Sequence, residues 1–75
     1  MINISAIVMD LSKKNIFRAD FNNFPEMEKA MFDKVKSLNQ KGITCCVKIY
    51  IEYDGDNYIM YLGKNGRQDD QYWFK

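Results

Sequence analysis

Ile43–Asp54, ITCCVKIYIEYD, alternates without a break. Cys45, Val47, Ile49, Ile51 and Tyr53 fall on one side, and Thr44, Cys46, Lys48, Tyr50 and Glu52 on the other. Strict period-two alternation over so many residues, rich in β-branched and aromatic side chains, reads as a long strand. Its first face is apolar enough to need a cover, so the rest of the chain is placed by asking which side of this strand it lies on.

Downstream, Asp54-Gly55-Asp56-Asn57 has turn chemistry. With these four residues as the loop, Tyr53 pairs with Tyr58, Ile51 with Met60 and Ile49 with Leu62 on the apolar face. Tyr50 then lies beside Tyr61, and Glu52 beside Ile59, on the opposite face. Asn65-Gly66 is the strongest hairpin signal, because a type I′ turn needs positive φ at both central residues. Counting outward from it sets Tyr58 against Trp73 and Ile59 against Tyr72. Trp73 then belongs to the core, and the last strand runs over Gln71–Lys75 after a bulge or fray at Asp69-Asp70.

Upstream, Ile2, Ile4, Ala6 and Val8 alternate, with Ile7 and Met9 on the other side. Asp10–Asn15 is a polar turn, and Phe17, Ala19 and Phe21 alternate with Ile16, Arg18 and Asp20. These segments form an N-terminal hairpin. A helix follows. Asn22 or Asn23 caps it, Pro25 suits its first turn, and Glu26 and Glu28 sit at the positive end of its dipole. Met27, Ala30, Met31, Val35 and Leu38 make one apolar stripe, which Phe32 widens, and Gly42 is the stop. The expected architecture is a single α+β domain over residues 1–75: an antiparallel sheet of about five strands in the order ββαβββ, with one helix packed on one face. Pattern alone does not give the strand order.

Composition narrows the function. Seventy-five residues build one thin core and no deep enclosed pocket. Eleven basic and ten acidic side chains leave a net charge of +1, which supplies no strong overall field for nucleic acid. No segment approaches a membrane span and the chain starts with no signal-like leader, so the expected location is the cytoplasm. There is no histidine, and no P-loop, dinucleotide-binding glycine pattern or nucleophile elbow. The chain is therefore expected to be no enzyme, with no catalytic residues, no cofactor and no metal ligands. DGDN offers oxygen atoms, yet it lacks the rest of a calcium loop and is read as a turn. Cys45 and Cys46, adjacent on a strand, point to opposite faces and cannot bond each other; Cys45 is expected in the core and Cys46 at the sheet surface.

Two surfaces remain as candidates for partner binding. The first is the open sheet face, where Tyr50, Tyr61 and Tyr72 form a row over three strands with Lys48, and Arg18 near it. Such a row suits a protein partner, or single-stranded nucleic acid stacked on the rings with the cations on phosphates. The second comprises Lys29 and Lys36 on the outer helix face, with Lys41, and Lys64 and Arg67 flanking Asn65-Gly66.

IFRADF leading straight into the helix, Gly42 ending it and the closing YLGKNGRQDDQYWFK give the chain an order of elements that resembles small phage-encoded anti-CRISPR proteins acting on type I surveillance complexes. The resemblance implies a non-enzymatic inhibitor that occupies the nucleic-acid-facing surface of a host nucleoprotein complex in the host cytoplasm. Lysines of the helix and hairpin, with exposed tyrosines, would be its contacts. Two alternatives stay open: a single-stranded nucleic-acid-binding module using the open sheet face, and a homo-oligomer joined through that face or an edge strand.

Overall fold

A computed structural model describes all 75 residues. The elements are β1 (Ile2–Asp10), β2 (Asn15–Phe21), α1 (Phe24–Gln40), β3 (Cys45–Tyr53), β4 (Asp56–Gly63) and β5 (Gly66–Gln68). They form one antiparallel sheet in the order β2-β1-β3-β4-β5, with α1 packed over β1, β2 and β3. The expected ββαβββ α+β fold is the observed one, and β3 is the middle strand. Its long pairing with β1, from Ile2 opposite Tyr53 to Asp10 opposite Cys45, settles the order that alternation left open.

The helix forms where its local signals converge. Asn23 takes an extended conformation and its side-chain oxygen accepts from the Glu26 N–H at 2.9 Å, with Pro25 in the first turn. At the other end Ile43 N–H donates to Leu38 O and Gly42 N–H to Asn39 O, both at 3.0 Å, with Gly42 at φ 79°. This is a Schellman stop, which uses the conformational freedom of a glycine to satisfy the last carbonyls. Met27, Met31, Val35 and Leu38 are buried against Ile4, Ala6, Val8, Cys45, Val47, Ile49, Ile51 and Leu62. No polar side chain is buried, so the core rests on apolar area alone.

Both C-terminal hairpins differ from the expected register by two residues. Asp54 and Gly55 both take positive φ, 50° and 82°, so they alone make a two-residue turn. The pairs are therefore Tyr53 with Asp56, Ile51 with Tyr58, Ile49 with Met60, Tyr50 with Ile59 and Lys48 with Tyr61. In the next hairpin the turn lies at Lys64-Asn65, and only Gly66 has positive φ, at 127°. The expected type I′ turn at Asn65-Gly66 is not formed. Leu62 faces Arg67, and Tyr61 faces Gln68. A shift of two residues keeps every side chain on its face, so the core survives while the neighbours on each face change.

The last strand departs further. β5 ends at Gln68, and Gln71–Lys75 does not pair with β4. The chain bends at Asp69-Asp70 and returns to the start of β3. There Phe74 N–H donates to Cys45 O at 2.8 Å and Cys45 N–H to Phe74 O at 3.1 Å. The Asn39 side-chain amide donates to Ile43 O at 2.8 Å and Phe74 O at 3.1 Å, tying the helix end to the tail. Phe74, edge-on to Phe32 at 6.3 Å, joins the core, the place expected for Trp73, which is half-buried outside it.

Candidate functional site

The structure divides the sequence-predicted partner residues between two sides of the molecule. On the open sheet face, Lys48 lies opposite Tyr61, and its Nζ is 5.1 Å from the Tyr50 ring centroid. The Tyr50 hydroxyl, and then the Tyr50 and Tyr61 phenols, hold the Lys48 ammonium above its ordinary pKa. Tyr72 is absent from this group. Its ring packs edge-on against Phe74 at 4.8 Å, off the sheet, so the expected row of three tyrosines is a pair. Arg18 is engaged locally, with Nε 3.7 Å from Asp20 and an NH2 contact to Ser5 Oγ at 3.5 Å.

Lys29 and Lys36 are exposed on the outer face of α1, on the far side of the sheet from Lys48 and Tyr50, and Asp33 lies between them. Lys64 is exposed at the β4–β5 turn. Arg67 faces the helix: its guanidinium stacks 3.7 Å from the Phe24 ring centroid and its Nε is 3.4 Å from Glu28. It joins β5 to the helix and is not a free cation. The helix and hairpin lysines do not converge with the tyrosines on one surface.

Cys46 is a second correction. Expected at the sheet surface, it is fully buried, because the returning tail covers it. The Tyr72 backbone and the Gln71 side chain lie against its thiol. Burial pushes the Cys45 and Cys46 thiols above their usual range. Both are free, and although Lys48 favours the Cys46 thiolate, burial outweighs it, so neither has the accessible setting of a reactive cysteine.

Exposed apolar side chains gather elsewhere, at the Asp54-Gly55 end of the β3–β4 hairpin. Tyr53 and Tyr58 on the helix side are each 50% exposed, and Ile59 and Tyr50 on the open side 53% and 39%. Tyr53 and Tyr58 were expected under the helix. The helix lies over β1, β2 and β3, which leaves Tyr58 on β4 and the end of the β3–β4 hairpin uncovered. What remains is a groove of about 570 Å³ between the first helical turn and the hairpin, lined by Ile2, Phe24, Ile51, Tyr53, Tyr58 and Met60, with Ile59 and Asp69 at its margin. A shallower hollow of about 510 Å³ on the other side of the hairpin is lined by Asn3, Ser5, Tyr50, Glu52, Asn57 and Ile59 among others. No lysine or arginine lines either one, whereas Glu52 and Asp69 do, and Asp54 and Asp56 flank the tip.

The arrangement can grip apolar side chains within an anionic rim. Sequence reasoning missed it because each of these residues has an ordinary strand or turn role. The available signal was width: one helix, about 10–12 Å across, covers only two or three strands spaced about 4.8 Å apart, fewer than the five expected. No group of three acidic, cysteine or histidine side chains gathers as a metal site, and no helix is long and apolar enough to cross a membrane. No family model, curated protein or solved structure matches the chain.

Proposed function

We propose that this chain is a non-catalytic binding protein that acts by occupying a basic surface of a protein partner through the acid-rimmed end of its β3–β4 hairpin. One observation carries the reading: Tyr50, Tyr53, Tyr58 and Ile59 are exposed together at one end, beside Glu52, Asp54, Asp56 and Asp69. Tyrosines bring contact area at small entropic cost, and carboxylates around them favour a cationic counterpart. Surfaces that hold nucleic acid are cationic. The resemblance to small anti-CRISPR proteins points the same way, to a nucleic-acid-handling host complex blocked by occupation. The contacts differ from those the resemblance implied, with hairpin tyrosines and carboxylates replacing helix lysines.

The test is capture from bacterial host lysate by tagged wild type and by the Tyr53→Ser/Tyr58→Ser variant, whose changes lie at half-exposed positions. The expected result is a nucleic-acid-binding complex recovered by wild type, at least tenfold less by the variant, and less at high salt. Equal recovery by both would sink the reading.

A second reading, single-stranded nucleic acid on the open face, is favoured by the Lys48, Tyr50 and Tyr61 cluster. Asp20 and Glu52 on the same face oppose it, and the loss of Tyr72 from the row removes one stacking platform. Fluorescent oligonucleotides titrated at low salt decide it: binding that Tyr50→Ala and Tyr61→Ala each weaken supports this second reading.

A further inference from the structure

β4 is paired with β3 over Asp56–Tyr61 on its inner side and with β5 only over Tyr61–Gly63 on its outer side. Because Tyr53 and Asp56 close a two-residue turn, the bonded pairs of the inner ladder are Tyr53/Asp56, Ile51/Tyr58 and Ile49/Met60. Asn57 and Ile59 therefore turn their N–H and C=O groups outward. No strand, turn or side chain of this chain bonds them. This edge borders the apolar groove directly, through Tyr58 and Met60.

The opposite edge of the sheet is built differently. β2 carries a register irregularity opposite Val8/Met9 and an Arg18–Asp20 pair, devices that discourage strand addition. Over Asp56–Met60 there is no bulge, lysine or proline, and the residues are DNYIM.

We propose that this free edge of β4 accepts one extended segment of a lysine- or arginine-bearing partner protein, which adds a sixth strand and seats an apolar side chain in the Ile2/Phe24/Tyr58/Met60 groove. The inference rests on the reading of the hairpin end as the docking surface and names how the partner is held. Main-chain bonds to Asn57 and Ile59 supply the grip, and alternate side chains supply selectivity. Charge selects the occupant. Asp54, Asp56 and Asp69 lie around this edge, and Arg67, which stacks on the groove's Phe24, is paired with Glu28, so a second copy would bring like charges together while a cationic segment offsets them.

The probe is a capped hexapeptide, Lys-Val-Lys-Val-Lys-Val, with Glu-Val-Glu-Val-Glu-Val as its control, and the readout is amide hydrogen exchange followed by NMR. At millimolar lysine peptide the Asn57 and Ile59 amides are expected to exchange at least tenfold more slowly, with outward amides of β2 unchanged and the glutamate peptide inactive. No slowing, or equal slowing by both peptides, overturns the proposal. Slowing that depends on protein concentration without peptide, with a dimer in light scattering, assigns the edge to a second copy and also overturns it. Asn57→Pro removes one outward N–H and leaves the bonds to β3 intact. Ile59→Lys sets a like charge on the edge at an exposed position and serves if the proline variant does not fold. Either is expected to abolish the slowing. If these variants still capture the lysate partner while Tyr53→Ser/Tyr58→Ser does not, the docking surface stands and strand addition falls. If the peptide slows the edge amides yet both tyrosine changes leave capture intact, strand addition stands and the docking surface falls.

Discussion

Asp10 holds the β1–β2 turn with one carboxylate oxygen. Oδ1 accepts from the Ser12 N–H at 2.9 Å, the Ser12 hydroxyl at 2.6 Å and the Lys14 N–H at 3.0 Å, and Lys13 is left at φ 65°. The Ser12 hydroxyl and then the Lys14 amide keep the Asp10 carboxyl below its usual range. A depressed carboxyl contributes stability that is present above the unfolded-state pKa of about 3.9 and is lost as pH falls through the lower folded value. Asp10→Asn is therefore expected to lower the melting temperature at pH 7, with the gap to wild type closing as pH drops below about 4. Thermal unfolding between pH 2 and 7 measures this. The buried thiols give a second prediction at this scale. Cys45 and Cys46 are expected to resist a thiol-specific disulfide reagent at pH 8 and to react fully in denaturant, because burial holds both protonated. Prompt reaction of Cys46 in the native protein would mean that the Gln71–Phe74 tail does not cover it.

Between elements, the β4–β5 hairpin is shaped by what lies across it. The Gln68 side chain occupies the space where a Cβ on Gly63 would be, and its amide donates to Asp70 O at 2.7 Å, which sets the bend that ends β5. Gly63→Ala is expected to destabilise the fold, and adding Gln68→Ala to recover most of the loss. Equilibrium urea unfolding of the two single variants and the double variant measures that coupling. A double variant no better than Gly63→Ala would place the clash elsewhere. On the other face, Arg67 links Phe24 and Glu28, and Arg67→Ala is expected to cost about 1 kcal/mol in the same assay, mostly as lost stacking, since the exposed ion pair contributes little. These contacts accompany the two-residue shift of the β4–β5 hairpin. Asp54-Gly55 and Lys64-Asn65 each lie inside or beside the expected turn, and local chemistry permits both placements. The Arg67 and Gln68 contacts that accompany the observed register are tertiary and leave no mark on periodicity.

For the whole molecule, stability on the order of 4–11 kcal/mol is expected from 75 residues. Ile49 is fully buried on the central strand. Ile49→Ala should remove about 2–5 kcal/mol of it, a large share. Urea midpoint and near-ultraviolet circular dichroism would show a folded but much weakened protein, or an unfolded one. Tyr53→Ser/Tyr58→Ser, at half-exposed positions, should cost about 1–3 kcal/mol, less than Ile49→Ala, and a urea midpoint that leaves it folded in the binding assay shows that lost partner binding reports on the surface rather than on folding.

Local signals along the chain specify the element order, both ends of the helix, the face of almost every strand residue and the apolar stripe that meets them. Alternation, capping residues and glycine stops act over a few residues, where the cause of a structure is written next to it. Tertiary structure alone decided three things. The long β1–β3 ladder put β3 at the centre. The tail returned to bond Cys45, bury Cys46 and take Tyr72 off the sheet. The helix settled over β1, β2 and β3 and left the end of the β3–β4 hairpin uncovered. Each depends on contacts between residues far apart in the chain. Those same contacts moved the candidate site from a row of tyrosines around Lys48 to the acid-rimmed end of Ile43–Asp54.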